Sequence, residues 1–587
     1  MSREALAAIT HAAENAEPYT TEECPAFRVT DHGVEYRHET RDGDVEYRVL
    51  CPRLEILGRT RNADSEDWGR LVSFHDADGQ LHRLAIAAAD LVRDGGADAL
   101  AHLARLGFRV PTRPKEKGLL TDYLFDFPVT RRVRAASSVG WQADGCFVLP
   151  DRTFGSRSDE DTHWQQEGRT VHPFAESGTL KAWKSKVAAP CIGNSRLIFS
   201  LSAAFAGPLL HPLSEESGGV HLRGPSSCGK TTGLIVASSV WGKTVRSWRS
   251  TDNGQEWVAA LHNDAFLAID EIGQADGRAA EQLAYMLANG LGKARANAKG
   301  GVRKTATWRI IFVSTGEVSL ADKVGEQGRG RTTKAGQEVR VLDVPADAGA
   351  GMGVFQALHH YDDPAALADA LKAAAKNDYG TAGPAFLEAL VAKNVDELRE
   401  EWRAHKASFL SKISRPQSDG QVKRGAARFA LVAFAGELAV RFGILPWSPG
   451  DALRASVTCF EAWLETRGGV GSTEARQVLE RVQRAILTQR GRFQDWNGSE
   501  DAPRDRLGFY RAGDDGGFFF HAPAFRDILA GLDERQALAA LDQAGFLEVY
   551  QEGEERRRKG KVRPPATGRA ERMVHVRPSL ASWEASR

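Results

Sequence analysis

The chain has 587 residues, room for three or four domains at about 150 residues each. Its 42% hydrophobic and 26% charged residues are ordinary for a globular fold. Basic and acidic residues number 77 each, so the formal net charge is zero, which excludes a polycation held to nucleic acid by bulk charge. The longest apolar stretch, Phe429–Gly436, is far too short to cross a bilayer, and Met1–Glu23 lacks the apolar run of a signal peptide, so no membrane role and a cytoplasmic location are expected. The six cysteines (Cys24, Cys51, Cys146, Cys191, Cys228 and Cys459) include no C-x-x-C pair, which argues against a disulfide framework and a structural zinc site.

After an N-terminal segment (1–20), residues 21–180 read as a mainly β domain of short strands. Val45–Leu50 and Leu71–His75 alternate, Asp76–Gly79 has hairpin-turn chemistry before Leu81–Ile86, and Asp144-Gly145 breaks Val139–Leu149 into a second hairpin. Helical periodicity begins near Leu180, with Ala182–Val187 and Ser195–Ala206. Over 181–350 strands alternate with helices: Val220–Arg223, Val245–Arg249, Phe266–Ile269, Ile310–Val313 and Glu338–Val344 predict a parallel sheet with crossover helices. Residues 351–490 read as helical, including Ala365–Lys376, Pro384–Leu398 and the apolar Gly425–Arg441. The last part, 491–587, shows strands near Leu507–Tyr510 and Phe518–Phe520, a helix Glu534–Ala544, and strands Phe546–Tyr550 and Met573–Val576, the order of a winged helix. The expected fold class is therefore α/β, a P-loop AAA+ (additional-strand) core with a mainly β N-terminal domain, a helical lid and a winged-helix-like C-terminal domain.

The chemistry concentrates in the second of these regions. Gly224-Pro225-Ser226-Ser227-Cys228-Gly229-Lys230-Thr231 is a full G-x-x-x-x-G-K-[ST] between a strand and the helix-like Thr232–Val240. Glycines let backbone N–H groups wrap phosphate oxygens, and the helix N-terminus adds its positive end. Lys230 is expected on the β- and γ-phosphates of ATP and the Thr231 hydroxyl on Mg²⁺, with Thr232 beside them. About forty residues on, the apolar Phe266–Ile269 ends in Asp270-Glu271. Ligands bind at the carboxyl ends of parallel strands, which assigns Asp270 to Mg²⁺ and Glu271 to the general base that polarises the attacking water. A third strand ends in Ser314-Thr315, and either hydroxyl would serve as a γ-phosphate sensor. Arg340 is a candidate arginine finger, with Arg329 and Arg331 as rivals, while Arg424 and Arg428 are candidates for a second sensing arginine.

Between the acidic pair and that third strand, Gly290–Lys304 is punctuated by glycine and carries Lys293, Arg295, Lys299, Arg303 and Lys304 with no acid. In a ring such a hairpin would project into the pore and grip DNA phosphates without reading sequence. The Arg556–Arg563 run, six basic residues in eight, would suit a wing on DNA or a solvated tail. His359-His360-Tyr361-Asp362-Asp363 reads as a surface helix end rather than a metal site.

Taken in order, Val139–Trp141, Phe147–Pro150, Gly207–Leu210, Ser226–Thr232, Arg249–Asn253, Asn263-Asp264, Asp270-Glu271, Ala288–Asn297, Ser314–Glu317 and Ala335–Arg340 resemble a family over about 25–440. That family is a domain of unknown function common in phages, plasmids and integrative elements near primases. It includes the Cch-type helicases of staphylococcal cassette elements, which are similar to MCM replicative helicases. The resemblance implies a homo-hexameric AAA+ ring that uses ATP and Mg²⁺ to move on single-stranded DNA and open forked DNA, with a primase or another element-encoded replication protein as partner. The alternative from another class is a nucleotide-gated ATPase that senses or scaffolds nucleic acid, as in defence.

Overall fold

The structure, a computed structural model, describes residues 26–155, 160–165, 172–249, 252–293, 295–296, 302–303, 305–325, 340–413, 420–467, 473–498, 502–513, 516–529, 532–552 and 555–583. In the N-terminal part, Phe27–Thr30, Gly33–Glu39 and Val45–Cys51 form one antiparallel sheet. Leu54–Arg61, Gly69–His75 and Leu81–Ala87 form a meander that Arg132–Ala136 and Thr162–Trp164 extend in parallel. Leu54–Arg61 alternates buried and half-buried residues along its whole length, as a strand with one covered face must. The Asp76–Gly79 turn forms as its sequence requires: Asp76 Oδ1 accepts from the backbone N–H groups of Asp78 and Gln80, each at 2.9 Å.

What covers that face differs from expectation. Ala97–Arg105 and Pro114–Asp126 are helices, and their Leu100, Leu103, Leu120, Tyr123 and Leu124 fill one core with Val34, Leu54 and Phe74. The N-terminal part is thus mixed α and β. Only Pro114, at the first helical position, signals the second helix.

The strands around Gly140–Trp141, Phe147–Val148 and Thr153–Phe154 leave this core and join the large central one, to which Val139, Phe147, Leu149 and Phe154 contribute. A polar knot pins them there. Asp264, fully buried, takes a bidentate ion pair from Arg309 (Nε at 2.6 Å, Nη2 at 3.0 Å) and the Trp141 N–H at 3.0 Å. Its neighbour Asn263 donates to the Val139 carbonyl at 2.7 Å and accepts from the Arg309 N–H at 2.8 Å. Gly140 is required between them, because it has φ +98° and a Cβ there would lie 2.5 Å from the Asp264 carboxylate.

The central sheet has five parallel strands: β1 (Gly218–Arg223), β2 (Arg246–Ser247), β3 (Ala265–Asp270), β4 (Ile310–Gly316) and β5 (Val341–Pro345), in the order β2-β3-β4-β1-β5. Both faces are covered, which is why these strands read as continuous apolar runs. On one face Val220, Leu222, Phe266, Ala268, Ile311, Val313, Leu342 and Val344 meet Leu234, Val236 and Ala237 of α1 (Lys230–Ser238). On the other, Leu267, Ile269, Phe312 and Val341 meet Ala259 of α2 (Asp252–Leu261) and Leu283 and Leu287 of α3 (Gly277–Asn289).

The helical region holds Pro364–Asn377, Ala382–Val391, Val395–Ile413, Gly420–Arg441 and Asp451–Arg467. The expected single helix Pro384–Leu398 is two, because Asn394 Oδ1 accepts from the N–H groups of Asp396 (2.8 Å) and Glu397 (3.3 Å) and starts a new helix. Thr473–Thr488 packs its Val478, Val482 and Ile486 with the C-terminal residues Phe518, Phe520, Leu541 and Val574. Those belong to a five-stranded sheet (Phe493–Asp495, Gly508–Arg511, Gly517–His521, Glu571–Val576, Gly560–Val562) with helices Ala522–Leu529 and Glu534–Gln543. Within the basic run, Arg556 and Arg558 both pair with Asp542 at 2.9 Å and Lys559 with Glu534 at 2.8 Å, so these cations face acids of the same chain. Among the described residues no single helix is long and apolar enough to cross a membrane.

Candidate functional site

Strands β1, β3 and β4 end on one edge of the sheet, the carboxyl edge, and the sequence motifs meet there. The Gly224–Thr231 loop leaves β1 and turns into α1 through Ser227 (φ +63°) and Gly229 (φ +90°). It is held from both sides. The Gly224 N–H donates to the Gly316 carbonyl at the end of β4 (3.1 Å), and the Cys228 carbonyl accepts from Val354 N–H (2.9 Å) in the segment that follows β5. A Cβ on Gly353 would lie 2.3 Å from the Cys228 carbonyl oxygen. This brace was not among the expected site residues; the alternating glycines of Gly349, Gly351 and Gly353 are the sequence signal for it.

Lys230, 7% exposed, lays its ammonium on the loop, donating to the carbonyls of Gly224 (2.8 Å) and Pro225 (2.6 Å). Pro225, Ser226, Ser227 and Thr231 are exposed, Gly224, Cys228 and Gly229 half-buried, and Thr232 is buried in α1. The Thr231 hydroxyl donates to the Asp270 carboxylate, its oxygens at 3.3 and 3.4 Å. On the other side of Asp270, Thr315 Oγ1 donates a short hydrogen bond to Oδ1 and accepts from the Glu271 N–H at 3.3 Å. Glu271 ends β3 in the left-handed region (φ +58°, ψ 78°), which is unfavourable for a residue with a Cβ and common at functional positions. Its carboxylate accepts from Gly273 N–H at 3.1 Å. Thr231, Asp270 and Thr315 are therefore joined by side-chain hydrogen bonds, with the Glu271 N–H on Thr315, beside the loop that Lys230 braces.

Ser314 is not part of it. Alternation along β4 turns Ser314 to the opposite face, where it is fully buried against His221 of β1. His221 Nε2 donates to the Val318 carbonyl at 3.0 Å, leaving Nδ1 to accept from Ser314 Oγ at 2.8 Å. Burial lowers the His221 imidazole to about 4, so it is neutral in the folded protein. Of the two hydroxyls offered by the sequence, Thr315 is the one that lies on Asp270.

The arginines also part company. Arg340 precedes β5 at the amino edge, with its guanidinium 4.7 Å from the Tyr285 ring centroid on α3. Arg428 is half-buried at that same edge, donating to the carbonyls of Arg340 (3.0 Å) and Ser217 (3.1 Å), and desolvation lowers its pKa to about 10. The expected nucleotide contact from Arg428 is therefore not made in its own chain; it closes the opposite end of the sheet. Arg331, Lys299 and Lys304 lie outside the described residues. Arg295 and Arg303 face each other across the two-rung antiparallel ladder that follows α3. Lys293 stands exposed at its base, where Gly292 N–H donates to the Ala306 carbonyl at 2.9 Å.

Residues 27–308 match the family model of the domain of unknown function DUF927. Among solved structures, the chain is similar to "SCCmec type IV Cch - active helicase", with a TM-score of 0.68 and 17% identity over 96% of this chain and 100% of the other. The two share a mixed α/β fold along nearly their whole length. Among curated proteins none matches the chain.

The His221–Ser314 contact has a pH consequence. A histidine whose folded pKa lies near 4 instead of 6.5 contributes stability that is complete above pH 6.5 and is lost as pH falls through 4. Replacing His221 with Gln removes that contribution. Between pH 7 and pH 4.5 the wild type should lose about 2 kcal/mol more unfolding free energy than the Gln variant, measured by urea denaturation. Parallel pH profiles for the two proteins would show that His221 titrates normally and is not buried as described.

Proposed function

We propose that the protein is an ATP-driven, ring-forming motor of the AAA+ type, similar to MCM helicases, that moves on single-stranded DNA and opens forked DNA. The observation that carries this reading is the Thr231–Asp270–Thr315 cluster, which joins the loop's helix to the acidic strand through a strand lying between them. That order, with β4 between β1 and β3, supports an additional-strand reading. DNA as substrate rests on the fold shared with the Cch helicase and on the basic segment Lys293–Lys304. A homo-hexamer in the cytoplasm, serving replication of a phage or integrative element beside a primase, completes the proposal.

In this reading Lys230 leaves the Gly224 and Pro225 carbonyls for the β- and γ-phosphate oxygens, where its charge is better matched. The Asp270 carboxylate and Thr231 hydroxyl are hard oxygen donors of the kind Mg²⁺ takes beside phosphate, and the ion would neutralise phosphate charge there. Glu271 orients the attacking water and accepts its proton. Thr315 holds the Asp270 carboxylate and the Glu271 backbone in register, so the serine beside it is dispensable for chemistry. Arg340, at the edge far from its own loop, would complete a neighbour's site across a ring interface.

Lys230→Ala should abolish ATP hydrolysis and greatly weaken ATP binding, whereas Glu271→Gln should bind ATP and not hydrolyse it. An Ala variant with ATPase within a few-fold of wild type, or a Gln variant that cannot bind ATP, would remove those assignments. The two hydroxyls separate in the same assay: Thr315→Val is expected to lower kcat by about 10²-fold, and Ser314→Ala by less than about threefold. The reverse order of effects would return the sensor role to Ser314.

The ring is tested by mixing. Lys230→Ala and Arg340→Ala subunits are each inactive, but some mixed interfaces hold an intact loop and an intact finger, so partial ATPase should reappear. No recovery at any ratio, with subunit exchange demonstrated, would mean that Arg340 does not act across an interface.

A further inference from the structure

Between the N-terminal sheet and the central unit lies a cleft of about 850 Å³ that the nucleotide cluster does not use. Three tryptophans from separate parts of the chain line it: Trp68 before the strand Gly69–His75, Trp164 at the end of Thr162–Trp164, and Trp257 on α2. Trp68 is 40% exposed and Trp257 43%, so two of the largest apolar side chains in the protein stand in contact with solvent on one cleft. The lining includes the base of the basic hairpin, through the exposed Lys293 and Thr305–Thr307. At the mouth, the exposed Arg132 guanidinium lies 5.0 Å from the Trp68 ring centroid.

We infer that this cleft is a base-stacking site for single-stranded nucleic acid, continuous with the hairpin; it rests on the proposed DNA reading and adds where the bases go. Indole faces stack on any base, because every base has a π face, and such a site is tolerant of sequence. Ligand sites of roughly 300–1,000 Å³ hold a drug-sized molecule, so this one has room for one or two nucleosides. The charge pattern orients the strand. The lining also holds the carboxylates Asp67, which accepts from Asn62 Nδ2 at 2.9 Å, and Glu256, which accepts from Lys293 N–H at 3.3 Å. They repel phosphate from the surface they share with the tryptophans, while the exposed Lys293 and, against Trp68, Arg132 attract it. Uncharged bases therefore enter and the backbone runs outside along the basic residues.

Binding of a fluorescein-labelled oligo-dT to the full-length protein, read by anisotropy across a salt series, tests this together with photocrosslinking of the same oligonucleotide carrying 5-iododeoxyuridine. Crosslinked peptides should contain Trp68, Trp164 or Trp257. Trp257→Ala should weaken binding about tenfold with an unchanged slope of log affinity against log salt, because a stack releases no counterions. Trp257→Phe should recover most of the loss, and Lys293→Ala should instead make the slope shallower. Melting temperatures of the variants within a few degrees of wild type are the control for folding. Crosslinks confined to other segments, with Trp257→Ala binding as wild type does, would overturn the site while leaving the DNA reading in place. The same follows if Trp257→Ala alters only the oligomeric state, since the cleft would then hold a neighbouring chain. Wild-type protein that binds no oligonucleotide at all removes the DNA reading and the cleft site together.

Discussion

The arrangement under the Gly224–Thr231 loop depends on one register, that of β4 between β1 and β3. Pairing Arg223 with Gly316 sets the loop's first N–H on the Gly316 carbonyl, and pairing Ile269 with Ser314 sets Asp270 beside Thr315. Because side chains alternate, this register sends Thr315 and Asp270 to the face that α1 covers and Ser314 to the other. A slip of one residue would exchange the two hydroxyls and bury the carboxylate away from Thr231. Apolar packing on both faces holds the register, with Phe312 and Leu267 on one side and Val313 and Ala268 on the other. The polar cluster is thus positioned by the core and not by its own hydrogen bonds.

The knot at Asp264 extends the same strand to the rest of the molecule. Arg309 immediately precedes β4, and its ion pair and backbone N–H fasten that end to Asn263-Asp264 and, through them, to Val139–Trp141. Thr305–Thr307, the returning limb of the hairpin, lies directly before it. One strand of seven residues therefore has the hairpin and the N-terminal strands at its first end and the Thr315 hydroxyl at its last, about 20 Å apart. A buried bidentate pair costs several kcal/mol to break by removal of one partner, so displacement at the hairpin base is carried along β4 more readily than it is absorbed at Arg309. In the proposed reading, this strand is the route from DNA at the hairpin to the Thr231–Asp270–Thr315 cluster.

The loop, the acidic pair and the five-strand alternation were legible because each combines a spacing with a residue chemistry that few other structures need. Ser314 and Thr315 could not be separated, since a strand buried on both faces shows no period-two pattern from which to read direction. The helix Pro114–Asp126 was missed because Gly118 and charged residues dilute its apolar stripe, and its burial comes from packing on strands distant in sequence. Arg428 looked like a sensing arginine on a long helix; only the path of that helix shows it capping carbonyls at the amino edge of the sheet. The acids beside the basic run near the C-terminus were hidden for a related reason, as Asp542 and Glu534, which face Arg556, Arg558 and Lys559, lie on a helix fourteen to twenty-five residues away. Charge pattern along a chain does not reveal such partners.

In the proposed function, nucleotide turnover at this cluster is coupled to movement along DNA. Strand displacement on a forked duplex measures that coupling directly, with each single-stranded tail offered in turn. Wild-type protein with ATP and Mg²⁺ should release the displaced strand on at least one fork, and Glu271→Gln should release none while still binding the DNA. ATP hydrolysis stimulated by single-stranded DNA with no displacement on either fork would contradict the claim and leave an ATPase that senses nucleic acid without moving along it.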